Sequence, residues 1–440
     1  MKKFLAVFLL GCALCAAEDA KDKTQDQKDR ETLLYGLDTE IITLLDTLKK
    51  EERISYRDEV LRVFSGAKTA ALKESVINYA AAFQDDCLKD EALAAAEDPF
   101  DERASTVSLW LRYIGAIKMT AAAPALRKLL DGETPEYFDA AVTALGEIGN
   151  TDDAEFLLDY MENNSLSAQQ RQTLMKSLVK LNDSAIAPRL VAIAEDSDEN
   201  IHVRMYAAEA AGASGNDEYV ANLIALYDNT DPNFRVSVVK ALAGFAQNRD
   251  ASALIIQAIR DNYYKVRIEA IGAAKKLKLN DAEPYLLSRA ANDPESVVKY
   301  EAYNALAALG TGGANDFLTG IIADKKMSET SRAKAAAALL ENGGAGLSQI
   351  IALAEETLKD DKQKNLRYAL GKEFAKYDNA ALAGICGEYL AHTDAATKGT
   401  GLDIYAKGRY ASAAGSVRQI AEDPKGGAVA AKAQRILAQN

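Results

Sequence analysis

The stretch DNYYKVRIEAIGAAKK, Asp261–Lys276, decides the fold. Alone, it has the make-up of a small reactive site: an acid, two tyrosines and an arginine six positions after the acid. Within the chain it is one copy of a repeat. The pattern is an apolar residue, a basic residue, two variable positions and then a run of small or apolar side chains. It recurs as VRMYAAEAA from Val203, FRVSVVKAL from Phe234, VRIEAIGAA from Val266, VKYEAYNAL from Val298 and SRAKAAAAL from Ser331. Successive copies start 31 to 33 residues apart. The frame extends back through Gln170, Tyr137 and Thr106, and forward, more weakly, through 361–371, 396–405 and 428–437. A period of this length marks a stacked repeat architecture.

Within each copy the apolar positions fall at 0, +4, +7, +8 and +11, for example Val266, Ala270, Ala273, Ala274 and Leu277, which is one face of a helix. The preceding segments EYVANLIALYDN, ASALIIQAIRDN and AEPYLLSRAAND show the same spacing, so each unit is a pair of helices. Between units stand GNTDD, LNDS, GND, QNRD and LND, whose Asn and Asp residues suit helix N-caps. No stretch alternates in twos between hairpin turns, so the predicted class is all-α. An amphipathic pair cannot bury its apolar stripe alone and must stack on the next. The expectation is a right-handed α-α superhelix of roughly 11–13 helical hairpins.

Paired helices, a 31- to 34-residue period, Asp198 six before Arg204 and Asp261 six before Arg267, and the closing ALGEIG at Ala144–Gly149 resemble the HEAT repeat. The likeness is greatest to its short variety in phycobilin-lyase-like proteins and covers about three quarters of the chain. It is specific for fold and says little about function. It also implies the role of Arg267. Arg171, Arg204, Arg235, Arg267, Lys299 and Arg332 form a column near the inter-helix turns, expected to pair with Asp198, Asp231, Asp261 and Asp293 as a structural ladder. The remaining reading of that column is a cationic strip facing an acidic ligand.

The 440-residue chain is 48% hydrophobic, enough for a large core, and carries a formal net charge of -13. That charge argues against nucleic acid as a partner. Two histidines, His202 and His392, leave little material for a His-based metal site or general base. MKKFLAVFLLGCALCAAEDA reads as a secretory signal peptide cleaved after Ala17. Leu9-Leu10-Gly11-Cys12 also resembles the box before a lipidated cysteine, although the apolar run ahead of Cys12 spans only Phe4–Gly11. The organisation expected is a signal peptide over 1–17, a disordered charged tether over 18–31, degenerate N-terminal helical capping repeats over 32–89 and the HEAT-like solenoid over 90–440. No other stretch has the run of apolar residues that a membrane span needs. Cys87 and Cys386, about nine repeats apart, are expected to be on the order of 80 to 90 Å distant and unbridged.

No catalytic residue, metal ligand set or cofactor site is expected, so function falls to a surface. On the second helix of each pair, position +2 points nearly opposite the core. There the central units place Met205, Val236, Ile268, Tyr300 and Ala333, where HEAT-like units are commonly polar. These predict an apolar ridge along the concave face that accepts a partner protein. The opposing reading packs them between units. Trp110 is expected in the core, Tyr263 and Tyr264 over a helix end, and GTGGAN (Gly310–Asn315) and ENGGAG (Glu341–Gly346) as turns with left-handed backbone. The function expected is a non-enzymatic, exported, periplasmic protein-binding scaffold of the bacterial cell envelope. The alternatives are a lyase-like or enzyme-accessory protein cradling an acidic ligand, and a spacer lipid-anchored at Cys12.

Overall fold

Alanine and leucine at helical spacing leave each helix one apolar stripe, and burying it against neighbours sets the architecture. The computed structural model describes residues 24–132 and 134–438. The expected signal peptide, its cleavage point and Cys12 lie outside the described residues. Among the described residues there are 26 α-helices and no strands. We number them α1 (Gln25–Tyr35) to α26 (Gly427–Ala438). They form pairs of one odd and one even helix, as the sequence pattern predicts. None is long and apolar enough to cross a membrane.

The chain divides into two compact units, one ending at Ser214 and one beginning at Gly215. The first holds the even helices α2 (Asp38–Lys50), α4 (Ala70–Ala82), α6 (Ala104–Ala116), α8 (Phe138–Ile148), α10 (Ala168–Leu181) and α12 (Ile201–Ala213). The second holds α14 (Pro232–Leu242), α16 (Tyr264–Leu277), α18 (Ser296–Leu309), α20 (Glu329–Glu341), α22 (Lys364–Phe374), α24 (Ala395–Gly408) and α26. Within each unit, every even helix packs against its odd partner and lies beside the next even helix.

The core follows the stripe. Val266, Ala270, Ala273 and Ala274 are buried, as are their counterparts Val298, Ala302, Ala305 and Leu306. Each fully buried Leu, Ile or Val contributes about 1.5–3 kcal/mol, so the fold is the sum of many modest terms. Small residues set how close the helices come. A Cβ on Gly146, in ALGEIG, would lie 2.6 Å from the Ser177 side chain of α10. A Cβ on Gly371 would lie 2.5 Å from Thr400 of α24. Trp110 is buried, its indole N–H donating to Glu102 at 3.0 Å.

The disordered tether expected over 18–31 fails from residue 25 onward, where α1 begins. Thr24 and Gln27 close a capping box at its start, and Leu33 is buried. Asp29, read as a solvated charge, is also buried and paired with Arg53 at 2.6 Å. Local composition gave no sign of that pairing. The helix-pair pattern then runs through residue 90 without a break.

Asn150 and Asn248 cap helices as expected, and Asn216 caps a short 3-10 turn. Asn182 instead ends α10 in the left-handed region, at φ 52°. Lys278, Gly310 and Arg409 end α16, α18 and α24 in that region too. The turn reading of GTGGAN holds at Gly310 only, because Gly312 and Gly313 already lie in α19 (Gly312–Ala323), capped by Thr311. In ENGGAG, Gly343, Gly344 and Gly346 all have positive φ.

Candidate functional site

The basic column is a device for finishing helices. An odd helix ends with carbonyls that lack intrahelical partners and a partial negative charge, and a guanidinium answers both. Arg204 Nε donates to the Ala194 carbonyl at 3.0 Å and Arg332 Nε to the Ile322 carbonyl at 2.8 Å. Arg171 Nη1 reaches the Met161 carbonyl at 3.4 Å, and a second arm pairs with Glu199. In each case the acceptor closes the odd helix of the arginine's own pair.

In the second unit the column becomes a true ladder. Arg235 grips Asp261 with two parallel bonds, 2.8 Å to Oδ2 and 2.9 Å to Oδ1. The main-chain carbonyl of Asp261 accepts from Arg267 Nη1 at 2.9 Å, and Arg267 Nη2 donates to Asp293 at 2.8 Å. Arg235 and Arg267 therefore each bind their own turn and the acid of the following pair. Arg267 and Asp293 are 5% and 1% exposed, which places this pair in the interior. Burial alone would push the Asp261 carboxyl up, but Arg235 and the Tyr227 hydroxyl hold it below the usual carboxylate value.

Three members depart from the expected ladder. Asp198 is exposed, and its neighbour Glu199 takes the arginine contact. Asp231 sits four residues before Arg235, not six, and its carboxylate caps α14 by accepting from Asn233 N–H at 2.7 Å. Lys299 makes no ion pair among the described residues, since a point charge lacks the arginine fork that spans a carbonyl and a carboxylate.

The +2 residues have a consistent setting. Val236, Ile268, Tyr300 and Ala333, on α14, α16, α18 and α20, are all half-buried, neither sealed between helices nor fully free. Met205 holds the same slot on α12 in the first unit and is half-buried too. Because α14, α16, α18, α20 and α22 lie side by side in order, equivalent positions fall in a row across their outward face.

A family model described as "Spirochaete HEAT repeat protein" matches residues 33–436. The chain belongs to that HEAT repeat family. No curated protein sequence matches it. Among solved structures, it is similar to the karyopherin Kap121p bound to the extreme C-terminus of the protein phosphatase Cdc14p, at 12% identity and a TM-score of 0.45, with 99% of this chain and 56% of that one covered. Kap121p bound to Pho4p is similar at 13% identity and a TM-score of 0.43, with 93% and 53% covered. Human deoxyhypusine hydroxylase in complex with glycerol is similar at 19% identity and a TM-score of 0.27, with 60% and 98% covered. The chain thus spans about half the length of the karyopherins it matches. At these values nothing of their partners or chemistry transfers to it.

One rung of the HEAT ladder and one ridge residue escaped the sequence reading. Arg367 is 1% exposed and donates to the Thr357 carbonyl at 2.9 Å and to Thr397 Oγ1 at 3.0 Å. Asp361, six residues earlier, is the signal that marks it. Tyr368 therefore occupies +2 on α22, half-buried, its hydroxyl donating to Asp394 at 2.8 Å.

The remaining candidates are structural. Tyr263 and Tyr264 open α16 with their rings edge-on at 5.4 Å. His392 Nδ1 accepts from the Asp394 N–H at 3.0 Å. Cys386 is buried and Cys87 half-buried; burial pushes each thiol up to about 12. A hollow of about 740 Å³ is lined by 246–249, Ser252, Ala253, Ile256 and 278–281, and one of about 550 Å³ lies between 390–398 and 416–429. Neither gathers histidine or aromatic side chains. Among the described residues no group of three or more His, Cys, Asp or Glu is placed to hold a metal ion.

Proposed function

We propose that the chain is a non-enzymatic, exported scaffold of the bacterial cell envelope that holds a partner protein against the outward face of its second unit. The observation that carries this reading is the row Val236, Ile268, Tyr300, Ala333 and Tyr368. Five consecutive even helices each turn an apolar, half-exposed side chain outward at a slot that core packing does not need. A continuous apolar strip of this kind on a rigid stack suits an extended or helical segment of another protein. The arginine ladder supports the reading by fixing the spacing between rungs. The lysine-flanked apolar start of the sequence supports export, with the periplasm as the destination.

The test is affinity capture from an envelope extract, with the full chain as bait. Ile268→Asp and Tyr300→Asp are each expected to lose partners that the parent chain and Gln172→Asp, at the same slot in the first unit, retain. An unchanged captured set in both ridge variants would overturn the docking strip. Fractionation of cells tests the location: recovery in the cytoplasm alone would overturn export.

A further inference from the structure

We infer that the segment bound by this strip is an acidic amphipathic helix that crosses the even helices and presents an apolar side chain about every seven residues, with a large one opposite Ala333. The inference rests on the docking reading above and gives it a chemical class. Three observations carry it.

The first is charge. The chain is strongly acidic, yet the even helices of the second unit taken together are basic, with α18 and α20 each neutral. α14 carries Arg235 and Lys240 without an acid, and α22 carries Lys364, Arg367 and Lys372 against Glu373. The acids on this layer are mostly in use. Glu301 is held by Lys275 at 3.4 Å, Glu373 by Lys376 at 2.7 Å and Asp403 by Lys432 at 2.7 Å. Glu269 has a partner, and Glu329 and Glu341 sit at the two ends of α20. Lys334 and Lys372 are exposed and make no ion pair among the described residues. Lys334 adjoins Ala333, and Lys372 stands one helical turn beyond Tyr368 on the same face. Unmatched cations beside an apolar strip select against basic segments and steer acidic ones toward it.

The second is spacing. Neighbouring helices in such a stack lie up to about 10 Å apart, and a helix rises about 1.5 Å per residue, so rungs at about that 10 Å spacing meet a crossing helix roughly every seven residues. A helix thus meets rung after rung with one face. The third is relief. Between Tyr300 and Tyr368 the row drops to Ala333, with the half-buried Ala337 one turn further along the same helix. Two small side chains between two tyrosines leave a recess, and a bulky residue of the partner fills it best.

The test uses the full chain and three labelled synthetic helical peptides of about 28 residues. The first has Leu, Leu, Trp and Leu seven residues apart and Glu on its flanks. The second replaces those Glu residues with Lys, and the third replaces the Trp with Ala. Fluorescence anisotropy at low salt is expected to show the first bound about tenfold more tightly than either of the others. Lys334→Glu combined with Lys372→Glu is expected to remove the preference for the acidic peptide, and raising the salt to weaken it. Equal binding of the acidic and basic peptides, lost from both in Ile268→Asp, would overturn the acidic assignment while leaving the docking strip intact. Binding of no peptide, or binding indifferent to Ile268→Asp, would overturn the strip and this inference together. Displacement of the acidic peptide by a DNA duplex at matched concentration would assign the lysines to nucleic acid and overturn the inference.

Discussion

The first unit and the second use the same helix pair and turn different faces outward. In the first, α6, α8 and α10 place Ser108, Asp139 and Gln172 at the slot nearly opposite the core, and only α12 breaks the rule with Met205. In the second, the same slot holds Val236, Ile268, Tyr300, Ala333 and Tyr368. The buried positions of both units draw on the same small vocabulary of Ala, Leu, Val and Ile. A repeat constrains what faces its neighbours and leaves one column free, so differences in that column report use, whereas differences elsewhere report packing.

The units also differ in how they carry charge, and the largest expected effect lies there. Asp293→Ala strands the Arg267 guanidinium in the interior of the second unit and is expected to cost about 3–5 kcal/mol in urea unfolding. Glu199→Ala frees an arginine in the first unit that already touches solvent, and is expected to cost about 1 kcal/mol. Equal losses would show that the two units are tied alike.

Close approach gives the next contrast. Gly371→Ala, with Thr400 and Tyr389 in the way, is expected to destabilise by about 1–3 kcal/mol. Gly272→Ala, in an open stretch of α16, is expected to stabilise by about 0.4–1 kcal/mol. Thermal unfolding of the two variants separates packing glycines from idle ones.

A smaller effect appears with pH. The Thr397 hydroxyl, followed by the Thr397 amide and the Tyr368 hydroxyl, holds the Asp394 carboxyl down at about 2. A depressed carboxylate stabilises the fold above its unfolded value near 4, and that contribution is lost as pH falls toward 2. The gap in urea midpoint between the parent chain and Asp394→Asn is expected to narrow from pH 7 to pH 2.5. A gap that widens on acidification would reverse the assignment. The smallest effect is chemical: at pH 8 the native Cys386 thiol is expected to resist iodoacetamide, and rapid labelling would contradict its burial.

The fold was legible because its signal is additive: many copies of one apolar period agree where any single copy is ambiguous. The arginine column was legible for the same reason, and its acids only in part. Which carboxylate an arginine meets depends on register: Asp261 and Asp293 lie six residues before the next basic position, while Asp231 lies four before Arg235 and turns to its own helix. Arg367 was hidden because its copy starts 35 residues after the preceding one, the turn between them being lengthened around the left-handed Gly343, Gly344 and Gly346. α1 was hidden because an ion pair between the buried Asp29 and the half-buried Arg53 reads, in one dimension, as two solvated charges. The outward column could be named but not graded, since its half-burial depends on helices to either side.

The ladder has a consequence for how such a chain changes length. Arg235 and Arg267 each ask only for an acid in the inter-helix turn of whatever pair comes next, so removing Asn262–Asp293 as a block would hand Asp261 the place that Asp293 held. The junction would find its bonds already made, one rung shorter. A surface built this way can be lengthened or trimmed in whole steps to match what it holds, without redesigning any joint.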